Sequence, residues 1–90
     1  MNESRSTQEQ IREFVMPMAE NKGVRSFSDK ESLTDAGIID SLAVFRLVSF
    51  LEQTFSVSIA DEEIVIENFD SIDEINRLLM SKLGLPRHTV

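Results

Sequence analysis

The strongest constraint on the fold is a wide apolar stripe in residues 42–55. Residues three and four positions apart share one face of an α-helix, and on this spacing the segment forms a broad apolar face. Its centre consists of Val44, Leu47, Val48, Leu51 and Phe55, and its flanks consist of Leu42, Phe45 and Phe50. A face of this width needs cover on several sides, so it predicts the central helix of a bundle. The face left for solvent or a partner consists of Ala43, Arg46, Ser49, Glu52 and Gln53.

A first helix is predicted to begin near Ser6, where two capping-box patterns overlap, Ser6-x-x-Glu9 and Thr7-x-x-Gln10. Behind them, one helical face collects Ile11, Phe14, Val15 and Met18. Pro17 lies inside this pattern and has no backbone N–H. We therefore expect the helix to end near Met16 or to kink there, with Pro17 opening another turn through Met18 and Ala19.

The last helix is predicted to begin at the capping box Ser71-x-x-Glu74 and to end at Gly84, with Pro86 just beyond. Its apolar face consists of Ile72, Ile75, Leu79 and Leu83. The segment ADEEIVIENF, residues 60–69, mixes early acids that favour a helix start with β-branched residues that favour a strand. We predict one short helix there. Residues 86–90 are expected to form a frayed tail.

A long stretch without a sustained period, residues 21–40, connects the first two predicted helices. Four apolar residues are spaced along it as anchors that would hold it against the helices: Phe27, Leu33, Ile38 and Ile39. Gly37 is expected to permit a turn that residues with a Cβ resist. The predicted fold is all-α, a small four-helix bundle of three longer helices and one short helix, with a long loop between the first and second. A single domain is predicted for residues 1–90, with an ordered core at about 6–84 and flexible termini.

Charge and composition exclude several classes of function. The chain has 9 lysines and arginines against 16 aspartates and glutamates, for a net charge of −7, so nucleic acid is not an expected partner. The absence of cysteine excludes disulfides and thiolate catalysis. Because no signal-peptide segment or long apolar run occurs, we expect a cytoplasmic protein with no membrane insertion. We expect it to be a monomer.

The most informative pair for function is Asp40-Ser41, at the start of the apolar helix. Asp is a favoured N-cap residue, so Asp40 is expected to cap the helix and leave Ser41 in its first turn with the hydroxyl pointing outward. The free amides and the dipole at a helix N-terminus favour an anion, so a phosphate ester on Ser41 would lie in a compatible field. The local sequence leaves a second interpretation open, in which Ser41 only shares the capping with Asp40.

A longer stretch around this pair resembles a known family. Residues 33–75, LTDAGIIDSLAVFRLVSFLEQTFSVSIADEEIVIENFDSIDEI, are similar to acyl and peptidyl carrier proteins, and the resemblance extends over roughly residues 6–84. It implies that Ser41, flanked by Asp40 and Leu42, carries 4'-phosphopantetheine supplied from coenzyme A by a phosphopantetheinyl transferase. It also implies that the chain is not an enzyme, but a carrier that holds an acyl or aminoacyl group as a thioester and presents it to partner enzymes.

Two departures from the pattern of fatty-acid carriers point to a specialised pathway. Two residues instead of one separate Gly37 from Asp40, and Ala43 stands where those carriers have an acid. This form resembles free-standing D-alanyl, aminoacyl or specialised acyl carriers, which implies an activating ligase and a downstream transferase as partners. Arg46 places a positive charge on a face that is mostly acidic in fatty-acid carriers, unless it pairs with a nearby acid. The predicted partner-binding residues are Ala43, Arg46, Glu62 and Glu63.

Other functions are less compatible with the sequence. A calcium loop starting at Asp29 would place Thr34 where the turn glycine belongs. The sole histidine, His88, lies in the predicted tail, so no base is positioned for serine catalysis. A helical interaction module that never carries a prosthetic group is the remaining alternative. The cargo is not specified, although a long acyl chain would need an apolar pocket whereas an aminoacyl group would keep its ammonium in water.

Overall fold

The three-dimensional structure is a computed structural model that describes residues 6–84. It contains three α-helices: α1 at Thr7–Asn21, α2 at Ser41–Phe55 and α3 at Ile72–Leu83. Two 3-10 turns, Asp61–Glu63 and Ile66–Phe69, lie between α2 and α3. Residues 6–84 contain no strand, so the predicted all-α fold is confirmed for them. No helix within this range is long and apolar enough to cross a membrane. The predicted single domain of residues 1–90 stays a prediction, and Pro86 and the expected tail lie outside the described residues.

The prediction of one short helix in residues 60–69 is confirmed only in part, because the segment makes two separate 3-10 turns. The first ends at Ile64, and Val65 then adopts an extended backbone with φ −127° and ψ 151° before the second begins. β-Branched residues favour such an extended conformation, which interrupts the helical path. The acidic residues therefore form a turn of their own.

α1 begins as predicted and ends later than predicted. The hydroxyl of Ser6 accepts a hydrogen bond from the amide of Glu9, and the Glu9 carboxylate accepts one from the amide of Ser6. Pro17 lies inside the helix, which continues to Asn21. The expected end near Met16 is therefore wrong. Packing explains the continuation, because Ala19, beyond the proline, is fully buried in the core.

The core is formed by all three helices and by the residues that connect them. Its fully buried large side chains are Ile11, Val15, Leu33, Leu47, Leu51, Phe69, Ile72, Ile75 and Leu79. α1 also packs on α2 through a stacked aromatic pair, Phe14 and Phe50, with ring centroids 4.2 Å apart. α3 ends as predicted at Gly84, which has a φ of +71°. Its cap, the Ser71 hydroxyl, accepts from the amide of Glu74.

The centre of the predicted face of α2 is confirmed by four buried side chains, Val44, Leu47, Val48 and Leu51, but the face is slightly rotated relative to the predicted one. Ala43 is buried at 8% exposure, whereas Leu42 and Phe45 are 61% and 59% exposed. The predictions that Ala43 faces solvent and that Leu42 and Phe45 widen the core are therefore wrong. Ala43 lines a hollow together with Met18 of α1 and Ile38 of the loop.

The loop between α1 and α2, residues 22–40, is held by its predicted anchors. Phe27, Leu33, Ile38 and Ile39 are all buried. Asp70, just before α3, fixes the middle of the loop: its carboxylate accepts from the hydroxyl of Ser32 at 3.0 Å and from the amide and hydroxyl of Thr34 at 3.1 and 2.5 Å. The backbone carbonyl of Asp70 also accepts from the amide of Leu33 at 2.6 Å. The loop is thereby joined to the start of α3.

A second polar cluster joins the loop to α1. The guanidinium of Arg12 donates to the carboxylate of Asp29 at 2.6 Å and to the carbonyl of Phe27 at 2.7 Å, and it also lies over the Phe27 ring. Gln8 donates to Asp29 and to Asp73 of α3. Asp29, the first residue of the rejected calcium loop, is therefore part of a structural network.

Candidate functional site

The start of α2 presents a serine whose hydroxyl has no partner within residues 6–84. The carboxylate of Asp40 accepts a hydrogen bond from the amide of Ala43 at 2.9 Å, so Asp40 is the N-cap. Ser41 is the first residue of the helix and is exposed. Since Asp40 does the capping and the Ser41 hydroxyl forms no hydrogen bond with a described residue, the interpretation in which Ser41 shares the capping is not supported.

The backbone around Ser41 provides a favourable field for an anion. The amides of Ser41 and Leu42 have no acceptor among residues 6–84, as is usual for the first amides of a helix. These free N–H groups and the positive end of the helix dipole both stabilise negative charge. A phosphate on the neighbouring hydroxyl would be stabilised by both.

The position of Ser41 is fixed by the loop that precedes it. The amides of Ile38 and Ile39 both donate to the carbonyl of Leu33, at 2.9 and 3.2 Å, in a compact turn. Gly37, with a φ of +77°, supplies the predicted left-handed residue of this turn. Both isoleucines are buried, which anchors the chain directly before Asp40. The hydroxyl is therefore held at a defined place on the surface.

An apolar hollow lies beside the hydroxyl, and most of it was not predicted. It has a volume of about 180 Å³ and is lined by Ser41, Val44, Phe45, Ile64 and Ile66. Phe45 and Ile66 are 59% and 40% exposed. The sequence suggested Val44 and Phe45 only as core residues and placed Ile64 and Ile66 in a short helix. The signal that could have identified the hollow is the run of three β-branched residues directly after an acidic turn.

The predicted acidic partner-binding residues occupy different environments. Glu62 is exposed, with no side-chain partner within residues 6–84. Glu63 accepts from Lys82 of α3 at 2.5 Å and from the amide of Ala60 at 2.9 Å. The hydrogen bond from Lys82, followed by that from Ala60, lowers the pKa of the Glu63 carboxyl below its usual value. Glu63 therefore joins the first 3-10 turn to α3, while its partner role stays a prediction, as does that of Glu62.

Arg46 is exposed, and no acid among residues 6–84 pairs with it. The alternative in which Arg46 pairs with a nearby acid is therefore not supported. Its guanidinium forms no ion pair or hydrogen bond there, and the same is true of the side chains of Lys22 and Arg25. The remaining cations in this range are all paired with acids: Arg12 with Asp29, Lys30 with Asp73, Arg77 with Glu74, and Lys82 with Glu63.

Comparison with protein families identifies the class of protein that this arrangement defines. A family model described as a phosphopantetheine attachment site matches residues 19–79, about two thirds of the chain. The chain therefore belongs to the phosphopantetheine-binding family of acyl and peptidyl carrier proteins. Comparisons with curated proteins and with solved structures gave no match.

The residues present fit the prosthetic group of this family, 4'-phosphopantetheine. The exposed hydroxyl of Ser41 can form a phosphate ester, and the amides of Ser41 and Leu42 are free to stabilise its charge. The hollow that includes Phe45 and Ile66 offers apolar surface next to the attachment point. No group of three potential metal ligands occurs in the described part of the chain.

Proposed function

We propose that this protein carries an acyl or aminoacyl group on 4'-phosphopantetheine attached to Ser41 and presents it to partner enzymes of a specialised biosynthetic pathway. The observation that carries the proposal is the exposed hydroxyl of Ser41, which has no partner within residues 6–84 and lies next to a residue that already caps the helix. The family match spans this position. When bound, the prosthetic group supplies a thiol that holds the cargo as a thioester.

The chain's own residues position the group and do not perform the chemistry. Asp40 fixes the start of α2, and the packed loop before it sets the direction in which the hydroxyl leaves the surface. A flexible arm attached there would raise the effective concentration of the cargo at each docked enzyme. The proposed role of the protein is therefore that of a carrier and not that of an enzyme. Its partners would be a phosphopantetheinyl transferase, an activating ligase and a downstream transferase.

The specialised pathway is supported by the charge on α2. Arg46 is exposed and without an acid partner in residues 6–84, so its positive charge is available to a partner. A basic docking surface that suits an acidic carrier would be repelled by it. The two residues between Gly37 and Asp40 support the same pathway class by resemblance.

The experiment that tests the proposal is attachment of the prosthetic group in vitro. Incubation with coenzyme A and a broad phosphopantetheinyl transferase is expected to add one phosphopantetheine per chain, measured by mass spectrometry of the intact protein. The variant Ser41→Ala is expected to gain no mass. Ser49→Ala is the matched control, since it removes an exposed serine hydroxyl of the same helix and should be modified like the wild type.

The opposite result has a clear meaning. A folded wild-type protein that gains no mass would favour an interaction module that never carries the group. Modification of Ser41→Ala at another residue would contradict the assignment of the attachment site.

A further inference from the structure

An open groove lies between α1 and α2 and shares Phe45 with the hollow beside Ser41. It has a volume of about 800 Å³. Its apolar walls are Phe14, Pro17, Met18, Phe45 and Phe50, and the charged residues on its rim are Glu13 and Arg46.

A smaller hollow lies next to this groove and shares three lining residues with it. It has a volume of about 160 Å³, and Lys22 and Arg46 line it together with Asp40 and Leu42. Phe14 stacks on Phe50, whereas Lys22, just after α1, lines one hollow together with Leu42, so α1 and α2 run antiparallel. The positive end of the groove is therefore the end next to Ser41. Glu13 lies more than a helical turn farther along α1.

We propose that the α1–α2 groove docks the ligase that activates and loads the cargo, and that this ligase presents carboxylates to Arg46 and Lys22. An apolar side chain of the ligase enters the groove beside Phe45. The inference rests on the proposed carrier function, because it takes the occupant to be an enzyme that acts at Ser41.

Continuity of the surface supports this occupant. Phe45 lines both the hollow beside Ser41 and the α1–α2 groove, and it is 59% exposed. An enzyme that reaches an arm on Ser41 must cover this side chain. Covering it brings the enzyme to the mouth of the groove and to Arg46, the next residue of the helix.

Charge complementarity specifies the chemistry of the partner. Lys22 and Arg46 are unpaired within residues 6–84, although the chain has a net charge of −7. Asp40 lines the same hollow, where its carboxylate accepts from the Ala43 amide, so the hollow has two cations against one acid. On the other side of Ser41, the exposed acids are Asp61, Glu62 and Glu67. A partner with acids opposite α1 and α2 is therefore attracted, and a partner with a uniformly basic surface is repelled there.

The dedicated ligase fits this pattern better than a transferase that serves many carriers. An enzyme that acts on many carrier proteins must recognise surface features that those carriers share. Arg46 departs from the acidic face of fatty-acid carriers, so it selects an enzyme built for this chain.

Steady-state loading kinetics test the proposal. The probe is the purified ligase that forms a thioester on the wild-type holo-protein. Arg46→Glu is expected to raise KM for the carrier about tenfold or more with little change in kcat, because docking precedes chemistry. Lys22→Glu is expected to raise KM several-fold. The control Arg77→Glu changes a cation of α3 that does not line the groove and should stay within about twofold of the wild type.

Further measurements separate the effect of the Arg46 charge on KM from the effect of the shape of the groove. Ser49→Trp places a large side chain in the groove and should raise KM, whereas Ser58→Trp, outside it, should not. Replacing the ligase carboxylate that faces Arg46 by lysine should restore loading of Arg46→Glu. Thermal unfolding checks that every variant is folded, and Arg46→Gln, which removes the charge without reversing it, should give a smaller rise in KM.

The two proposals fail in different ways. If wild-type protein gains no phosphopantetheine by mass, the carrier function fails before any docking is measured. If it gains the group and Arg46→Glu is loaded as efficiently as the wild type, or more efficiently, only the docking inference is overturned.

Discussion

At the scale of single residues, Asp40 and Ser41 are neighbours with separate tasks. The carboxylate of Asp40 holds the amide of Ala43, which stabilises the helix. The hydroxyl of Ser41 contributes no hydrogen bond within residues 6–84, so it is free for a covalent bond. Stability and attachment are therefore separable by mutation.

Ser41→Ala is expected to change the free energy of unfolding by less than about 0.5 kcal/mol, because the hydroxyl has no partner to lose. Asp40→Ala is expected to lower it by about 0.5–2 kcal/mol, because an amide at the helix start loses its acceptor. Urea unfolding of the apo-protein followed by circular dichroism measures both. A larger loss for Ser41→Ala than for Asp40→Ala would show that the serine is the cap.

These two residues could be predicted from the sequence, because capping depends on a few adjacent positions. The environment of Arg46 could not. Whether a long side chain finds an acid depends on residues distant in the chain, and Arg46 finds none within residues 6–84. Glu63 illustrates this point, since its partner Lys82 lies on another element.

At the scale of elements, the sequence located α1, α2 and α3 but not the rotation of α2 or the extent of α1. A periodic pattern does not distinguish an exposed apolar side chain from a buried one. Leu42 and Phe45 were therefore assigned to the core. Ala43 was assigned to the surface because it adds little to an apolar stripe. The rotation depends on how the loop packs against α2, which no local pattern encodes.

The same limit applies to Pro17. Its missing donor and fixed ring predict an end or a kink. Burial of Ala19, two residues beyond it, outweighs the preference for an end and extends α1 to Asn21, whereas the kink stays a prediction. The two 3-10 turns after α2 are also short, and the local preferences of their residues conflict. Their form therefore depends on contacts such as the one between Glu63 and Lys82.

Pro17→Ala is expected to stabilise the protein by about 2–2.6 kcal/mol. Alanine is about 3 kcal/mol more favourable than proline inside a helix, and part of this gain is offset because the unfolded chain becomes more flexible. Thermal or urea unfolding measures the change. Ser49→Ala, another exposed position inside a helix, is the control and should gain no more than about 0.5 kcal/mol. A destabilised Pro17→Ala would mean that the ring contributes packing that alanine cannot replace.

At the scale of the whole molecule, Asp70 holds the long loop against the rest of the fold. Burial raises the pKa of the Asp70 carboxyl, but the hydrogen bonds from Thr34 and Ser32 outweigh it, and the net pKa is lowered. The folded state therefore favours the charged carboxylate. Its contribution to stability is complete above the ordinary pKa of aspartate and is lost as the pH falls through the lowered folded value. Glu63 acts in the same direction.

Asp70→Asn is expected to lower the free energy of unfolding by about 1–3 kcal/mol near neutral pH, since an amide cannot accept all three hydrogen bonds with the strength of a carboxylate. The gap between wild type and variant should narrow toward about pH 3, where the unfolded carboxyl is protonated. Urea unfolding at both pH values measures it. Asp35→Asn is the control, since the Asp35 carboxylate is exposed and without a hydrogen bond in the described residues. A gap that stays constant with pH would contradict the assigned role of the charge.

The division of the cations into paired and unpaired groups has an evolutionary consequence. Within residues 6–84, the cations that form ion pairs and the cations without a partner are different residues. Substitutions at the outward positions can accumulate without weakening the bundle. Such proteins could therefore change their partner enzymes in evolution through substitutions at two or three positions, while every intermediate still folds.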